Sequence, residues 1–188
     1  VGVFALVGSS TMKEERYADN LRFFRTSEKV FESSEPIYYP DDEVTLRLIS
    51  YYPYQEEGVN MGESTMSVAV ETDQNLSAGY FCSDFLVASQ NLQSAPKGSN
   101  ALHYDHKFFK LKIALVGKEG EELQGILDAD PKLSVCGFYT KAIYDFQKET
   151  YSAFSNEKSI TPAGKWEIQG DRLSGKEVIL IPQETTLG

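Results

Sequence analysis

The sequence predicts an all-β protein built as a β-sandwich, and three observations carry this prediction. Apolar and polar residues alternate with a period of two over short stretches, which is the pattern of half-buried strands. Turn residues, chiefly Gly, Pro, Asn and Asp, separate these stretches. The segment from Leu102 to Leu115 reverses the phase of its alternation near Phe108, which requires either a β-bulge or a crossing from one sheet to another. Roughly ten to twelve short strands favour a sandwich.

The individual strands follow from the same alternation. The clearest covers residues 44–54, where Pro53 must end the pairing because proline has no N–H to donate. Residues 11–20 and 55–63 are polar connections, and 83–91 is the one helix candidate. The other strands are predicted at 1–7, 66–70, 102–115, 133–138, 142–146, 150–154, 166–168 and 178–181. Residues 21–24, 29–31 and 37–39 are short apolar stretches.

Composition and charge limit the classes of partner. The chain carries 18 basic and 28 acidic residues, a net charge of −10 with a pI of about 4.7. This argues against nucleic acid and anionic lipid, which both require a basic surface. No apolar run reaches the length of a transmembrane helix, and residues 1–8 are too short for a signal peptide. Because the chain starts within an apparent strand, we interpret it as trimmed or processed.

The two cysteines, Cys82 and Cys136, leave the question of a disulfide open. Spacing alone cannot show a bridge, even in an exported protein. Cys136 lies in the strand-like stretch 133–138, where a free thiol packs as a small apolar side chain. We therefore favour unpaired cysteines.

The two histidines lie in a His-Tyr-Asp-His stretch, His103 to His106. His103 and Asp105 share a strand face, but a zinc site needs three or four convergent ligands. The alternation places His106 on the apolar face, so a packed core histidine is the preferred interpretation, and no metal or cofactor is predicted.

No pattern in the chain indicates an enzyme. It contains no nucleophile elbow, P-loop or Cys-x-x-Cys motif. The acidic turns at 41–43 and 128–130 lack the ligand spacing of an EF-hand loop and are interpreted as solvated turns.

Aromatic side chains provide the main alternative function, a carbohydrate-binding module. Most of the eleven tyrosines and eleven phenylalanines lie in the alternating strands, where core packing accounts for them. A platform for stacking on sugars would need exposed rings, and Tyr51, Tyr54 and Trp166 are the candidates.

Five segments in chain order resemble the fimbrillin family of Bacteroidetes surface proteins. They are Val-Gly-Val-Phe-Ala-Leu at 1–6; the tyrosine- and proline-rich block 36–54; Thr-Asp-Gln at 72–74 with Ser-Asp-Phe-Leu-Val-Ala at 83–88; the stretch 102–115 with His106; and Val-Ile-Leu-Ile-Pro-Gln at 178–183, which is similar to the linker that leads into a second domain.

The resemblance implies a transthyretin-like β-sandwich that serves as a structural or adhesive fimbrial subunit rather than an enzyme. It implies an N-terminal domain over 1–182, a linker beginning at 183–188, and export as a lipoprotein to the cell surface or outer membrane. Other fimbrial subunits would be the partners, joined by β-strand addition, and host or bacterial surface ligands remain open.

The resemblance also suggests where a neighbouring subunit would bind. An edge strand removed from a sandwich leaves unpaired backbone groups beside an apolar groove, which a donated strand can fill. We expect the face of the first strand that carries Val3, Ala5 and Val7 to border such a strand-exchange groove, because this strand begins with no preceding partner.

Overall fold

The computed structural model describes residues 1–26, 30–40, 44–95, 98 and 100–184. Strands account for 43% of the structure and helix for 7%, in two short helices within the described part of the chain, and several sheets are antiparallel. This confirms the predicted all-β class.

The secondary-structure elements of the described residues are, in chain order, β1 (Gly2–Val7), β2 (Ala18–Arg22), β3 (Phe24–Arg25), β4 (Phe31–Glu32), β5 (Leu46–Tyr52), β6 (Thr65–Ala69), α1 (Ser77–Cys82), β7 (Leu86–Leu92), β8 (Asp105–His106), β9 (Phe109–Val116), α2 (Leu123–Asp128), β10 (Tyr139–Asp145), β11 (Thr150–Glu157), β12 (Glu167–Gln169) and β13 (Arg172–Leu180).

The chain divides into two compact units, each made of three separate segments. Unit 1 comprises Val1–Ser67, Phe85–Lys107 and Ile143–Ser152, and unit 2 comprises Val68–Asp84, Phe108–Ala142 and Ala153–Gly188. A three-stranded sheet has the order β11-β10-β6. Among the described residues, no helix combines the length and apolarity needed to cross a bilayer.

Unit 1 contains a five-stranded antiparallel sheet in the order β2-β1-β5-β7-β8 and the small hairpin β3-β4. β1 is paired on both sides and buried on both faces, in agreement with its continuous apolar sequence. Strand β5 ends at Tyr52, directly before Pro53, as the sequence predicts.

One face of this sheet carries an aromatic core. Phe4 stacks on Tyr51 with ring centroids 5.8 Å apart, and Phe146 meets both rings edge-on. Phe85 and Tyr144 extend the cluster, with centroids 5.1 Å apart. Tyr51, a candidate for an exposed sugar-stacking ring, is therefore a core residue.

Gly2 makes room for Tyr51 on the neighbouring strand. The two residues are cross-strand partners, and a Cβ at position 2 would lie 2.2 Å from the Tyr51 ring. The Tyr51 hydroxyl donates to Asn20 Oδ1 at 2.7 Å, and burial raises the pKa of Tyr51 to about 12.

Unit 2 contains the antiparallel sheet β12-β13-β9. β13 contributes several residues to the aliphatic core, and its buried side chains include Leu173, Val178 and Leu180. β9 lies at the edge of this sheet and leaves Phe109 and Leu111 largely exposed. An apolar alternation therefore does not ensure burial when the strand has one neighbour.

The reversal of alternation near Phe108 marks a change of sheet. β8 belongs to the five-stranded sheet of unit 1, whereas β9 pairs with β13 in unit 2. Of the two alternatives left open by the sequence, crossing between sheets is confirmed.

The helix predicted at 83–91 is wrong. Residues 86–92 form β7, which pairs along its length with β5, so pairing outweighs the weak local helix preference. The helices that do form, at 77–82 and 123–128, each contain only six residues. The strand predicted at 133–138 is reduced to one bridge between Val135 and Ile160.

Candidate functional site

The sheet face formed by β1, β5 and β7 is the floor of an apolar groove in unit 1 with a volume of about 740 Å³. The floor residues Val3, Leu46, Leu48, Ser50 and Leu92 lie on one face because they alternate along their strands and face one another across them. The other lining residues come chiefly from two segments, 30–39 and 98–104, with Val1 and Phe23 at one end.

The predicted Val3, Ala5 and Val7 face adjoins this groove. Val3 lines it. Ala5 is fully buried in a cluster with Ala18 and Leu46, and Val7 packs against that cluster. The reason given for the prediction is wrong, however, because β1 pairs with β2 on one side and with β5 on the other. No strand can add to β1 itself, and a strand-exchange role for this face stays a prediction.

Two segments without regular secondary structure border the groove. In the described part of the chain, residues 36–40 and 100–104 belong to no β-ladder and take part in no backbone–backbone hydrogen bond. Among the described residues, no strand pairs with their backbone groups.

Two tyrosines attach these segments to the sheet. The Tyr39 hydroxyl lies 2.6 Å from the carbonyl oxygen of Val44 and 2.9 Å from that of Leu92, and can donate to either. The Tyr104 hydroxyl lies 2.6 Å from Ser50 Oγ, and burial raises the pKa of Tyr104. These hydrogen bonds hold the two bordering segments against the sheet.

The rim of the groove is apolar and open to solvent. Val30 and Phe31 are exposed by 42% and 46%, and both line the groove. Among the described lining residues one is charged, Glu35. Such a surface can bind an extended apolar chain, since burial of its side chains would be favourable.

Arg16, which the sequence analysis did not single out, organises the loops of unit 1. Its guanidinium is buried and donates five hydrogen bonds, to Asp19 Oδ1 and to four backbone carbonyl oxygens, at 2.6 to 3.1 Å. It also lies 5.3 Å from the Phe4 ring centroid. The four carbonyl groups belong to Met12, Val59, Asn60 and Glu63.

Gln74 has a comparable role in unit 2, since its buried side chain also binds backbone groups of a distant segment. Its fully buried carboxamide donates to the carbonyl oxygen of Ile179 at 2.9 Å and accepts from the N–H of the same residue at 2.8 Å. It thereby acts as a neighbouring strand for β13. In the sequence, the Thr-Asp-Gln stretch stands out only through the family resemblance, since polarity alone places Gln74 at the surface.

The histidine stretch does not form the predicted core site. His103, Asp105 and His106 are all exposed, so the prediction of a packed His106 is wrong. His106 pairs with Leu86 near the sheet edge, where side chains of a two-residue strand meet solvent. Within the described ranges, no three side chains of His, Cys, Asp or Glu come together as a metal site.

The aromatic platform proposed for sugars is not formed by the predicted rings. Tyr51 and Trp166 are buried, the latter donating its indole N–H to the Pro131 carbonyl oxygen at 2.8 Å. Tyr54 is half-buried with the Arg22 guanidinium 5.3 Å from its ring centroid. These positions remove the observation that favoured the carbohydrate-binding alternative.

Both cysteines are exposed and free. The apolar packing predicted for Cys136 is wrong, because its Sγ lies at the surface, 3.2 Å from Ser159 Oγ. The acidic turn at 41–43 lies outside the described residues. In the turn at 128–130, Asp130 forms an ion pair with Lys132, which holds the pKa of this exposed carboxyl below its usual value.

Comparison with solved structures shows the fold. One, a candidate cell adhesion protein from Bacteroides uniformis, has 21% sequence identity and a TM-score of 0.61, and the match covers 96% of this chain and 67% of that one. Another candidate cell adhesion protein, from Bacteroides ovatus, has 15% identity and a TM-score of 0.63, with 98% and 69% covered.

No curated protein matches the sequence significantly. The model of the fimbrillin-like family matches residues 1–188, which is the whole chain. The chain belongs to the fimbrillin-like family.

Proposed function

We propose that this chain is a subunit of a bacterial cell-surface fimbria and that it accepts a β-strand of a neighbouring subunit in the unit 1 groove. Its membership of the fimbrillin-like family supports a fimbrial or adhesive role, as does the fold it shares with two candidate adhesion proteins. The observation that carries strand addition is the apolar groove bordered by two segments whose backbone groups have no backbone partner among the described residues.

An added strand would make two kinds of contact in this groove. Its backbone would pair with residues 37–39 or 100–104, whose N–H and C=O groups lack backbone partners among the described residues. Side chains at every second position would then lie on Val3, Leu46 and Leu48. We therefore expect a donor strand with apolar residues at alternate positions.

Strand β1 would form part of the floor of the groove on which the donor strand lies. We propose that Val3 contacts the donor, whereas Ala5 and Val7 hold the floor in place through the cluster with Ala18 and Leu46. Because β1 is already paired on both sides, the donor would lie across its face and not along its edge.

Export and domain organisation belong to the same proposal. A fimbrial subunit would be exported, here as a lipoprotein precursor, and residues 1–182 would form an N-terminal domain followed by a linker from 183. The match covers only 67% and 69% of the two solved chains, so both of these chains are longer than this one, which supports the proposal of a further domain. Within unit 2, Gln183 still belongs to the folded part, since its carboxamide bonds both backbone groups of Tyr139.

Phe31 and Phe24 offer a matched pair of variants for a test. They lie on the paired strands β4 and β3 and are similarly exposed, by 46% and 51%, but only Phe31 lines the groove. With the protein expressed at its full genomic length, we expect Phe31→Lys to abolish fibres seen by electron microscopy. Phe24→Lys should assemble normally.

Melting curves of both variants check that the subunit remains folded. Equal assembly of Phe31→Lys and Phe24→Lys would exclude the groove as the acceptor site. A wild-type protein that stays monomeric under every processing condition would exclude assembly by this chain altogether.

A further inference from the structure

We propose that the free edge of β9, in unit 2, binds an extended strand of a partner protein in which apolar residues alternate with acidic ones. β9 is eight residues long and lies at the end of the sheet β12-β13-β9, where it pairs with β13. This surface shares no residue with the lining of the unit 1 groove.

The backbone of β9 can accept a second neighbouring strand. In the described part of the chain, β13 is the one strand that pairs with it, and no backbone group outside that pairing bonds to residues 109–116. An edge strand directs the N–H and C=O of every second residue away from its neighbour. An added strand would form hydrogen bonds with these groups and continue the sheet.

One face of β9 carries apolar side chains that β13 leaves partly uncovered. Phe109 lies opposite Leu180 of β13, and in the same register Leu111 lies opposite Val178. The two β13 side chains are fully buried, whereas Phe109 and Leu111 are 39% and 41% exposed. The apolar row of this face therefore reaches the free edge and ends there in solvent. Apolar residues of an added strand would extend the row and be buried against it.

The other face of β9 carries an excess of positive charge. Lys110 and Lys112 are two residues apart, so they share this face, and both are exposed. Glu177 of β13 lies opposite Lys112 in the register, and its Oε2 lies 3.6 Å from Lys110 Nζ. The other oxygen of this carboxylate accepts a hydrogen bond from the Tyr80 hydroxyl. Two lysines therefore face one carboxylate, which is already engaged.

These charges determine which kind of strand matches the edge. Opposite charges on neighbouring strands attract, and like charges directly opposite each other repel. A second copy of β9 contains the same two lysines and no acidic residue, so it offers neither lysine a counter-charge. A strand with carboxylates two residues apart matches both lysines and turns its intervening side chains to the apolar face. Because the whole chain has a net charge of −10, this preference depends on contact at the edge and not on long-range attraction.

Three synthetic peptides with blocked ends test the site. They share the sequence Thr-Val-X-Val-X-Val-Thr, in which X is Glu, Gln or Lys, and each is titrated into the isotope-labelled chain. We expect saturable NMR shifts of the backbone amides of β9. The Glu peptide should bind about tenfold more tightly than the Lys peptide, with the Gln peptide between them.

The position of the shifts distinguishes this edge from the groove. Shifts confined to the amides of Val3 and Leu48 would place the peptides in the unit 1 groove and would overturn the proposal. Equal affinity for all three peptides, or no shift in β9 with any of them, would overturn it as well.

Variants with matched controls establish which side chains of β9 bind. Lys112→Gln should weaken binding of the Glu peptide about threefold, and the double variant Lys110→Gln/Lys112→Gln should lose the preference for Glu over Lys. Lys158→Gln, an equal loss of charge at an exposed position of unit 2, should leave all three affinities unchanged. Leu111→Thr should weaken the three peptides alike, because it shortens the apolar row.

Melting curves check that each variant remains folded, and sedimentation equilibrium tests a second copy as the occupant. We expect Lys112→Gln to leave the oligomeric state of the chain unchanged. A dimer that this substitution strengthens, with shifted β9 amides, would identify self-pairing and overturn the assignment of an acidic partner.

Discussion

Units 1 and 2 are both built around β-sheets, but the side chains of their cores differ. Unit 1 packs aromatic rings, with Phe4, Tyr51 and Phe146 in mutual contact, whereas the core strand of unit 2 is aliphatic from Val178 to Ile181. Each unit also buries one long polar side chain, Arg16 in unit 1 and Gln74 in unit 2.

The two polar residues differ because the backbone groups they satisfy differ. Four loop carbonyl oxygens converge in unit 1, and only a guanidinium offers enough donors in one plane to satisfy them. In unit 2 a single residue, Ile179, presents one N–H and one C=O, which a carboxamide matches. The local set of unpaired backbone groups thus selects the buried polar residue.

The largest loss of stability is expected when a charged side chain replaces an apolar one in a sheet of either unit. Alternation alone predicts the same result for Leu46→Asp and Ile113→Asp, but Leu46 is 3% exposed on an interior strand and Ile113 is half-buried on the edge strand β9. A buried unpaired charge costs several kcal/mol, comparable with the whole stability of a domain. We expect Leu46→Asp to abolish cooperative unfolding and Ile113→Asp only to lower the melting temperature.

Circular dichroism melting curves distinguish the two variants. Leu46→Ala serves as a control for lost volume without charge. Equal loss of structure in both Asp variants would show that edge position gives Ile113 no access to solvent.

A second comparison removes the buried polar residues themselves. Arg16→Leu leaves four carbonyl groups without their donor, and we expect a loss of about 3–5 kcal/mol, as for a broken buried charge network. Gln74→Leu leaves the N–H and C=O of Ile179 unpaired, with an expected loss of about 1–3 kcal/mol.

Urea unfolding with two probes measures these losses. The one tryptophan, Trp166, is buried in unit 2 and reports that unit by fluorescence, while far-ultraviolet circular dichroism reports both. Arg16→Lys keeps the charge but not the five-donor geometry, and it should lie between Arg16→Leu and wild type. A larger loss for Gln74→Leu than for Arg16→Leu would contradict the assignment.

The buried tyrosines predict a loss of stability in alkali, chiefly in unit 1. Burial raises the pKa of Tyr51 to about 12 and raises that of Tyr104, Tyr144 and Tyr151, while in unit 2 burial followed by the Glu177 contact raises that of Tyr80. Because the folded state favours the neutral phenol, this stability is complete below the unfolded pKa of about 10 and is lost as pH rises above it.

Absorbance at the phenolate band, followed with circular dichroism, tests this expectation. Part of the eleven tyrosines should ionise only as the protein unfolds, whereas all should titrate together in denaturant. Complete, reversible ionisation of every tyrosine in the folded protein would refute it.

Asp145 of unit 1 should give the smallest effect. Burial acts to raise its pKa, but hydrogen bonds from the backbone of Gln147, the Ser64 hydroxyl and the backbone of Lys148 outweigh this and lower it. A lowered carboxyl pKa stabilises the fold above the unfolded value, and this contribution is lost as pH falls through the folded value. Asp145→Asn should therefore cost about 1 kcal/mol or less at neutral pH.

The pH dependence separates this contribution from a general loss of packing. The stability difference between wild type and Asp145→Asn should shrink as the solution is acidified below the unfolded pKa of about 4. Asp171→Asn, in which an exposed carboxyl beside Arg172 is removed from unit 2, is the control and should change little. A difference that stays constant with pH would rule out the charge as its source.

Parts of the molecule could be read directly from the sequence. The alternation around Val44 to Tyr54 placed β5, Pro53 marked its end, and the phase reversal at Phe108 located a change of sheet. These features are local consequences of strand geometry and of the missing proline N–H, which any surrounding structure must respect.

Other features depended on contacts between distant residues. Residues 83–91 are predicted as helix, but 86–92 pair with β5, and His106 is predicted as core but lies at a sheet edge. Arg16 gives no signal because three of its four carbonyl partners are 43 to 47 residues away, and the Ile179 partner of Gln74 is 105 residues away. The groove likewise arises where segments around 36–40 and 100–104 come to the same sheet face.

The sequence by itself therefore determined which side chains can form strands and where those strands must stop, because period and proline chemistry act over a few residues. The tertiary structure decided which strands became interior and which became edges. That choice, which no local pattern encodes, buries Val3 and Leu46 and leaves the apolar face of β9 exposed.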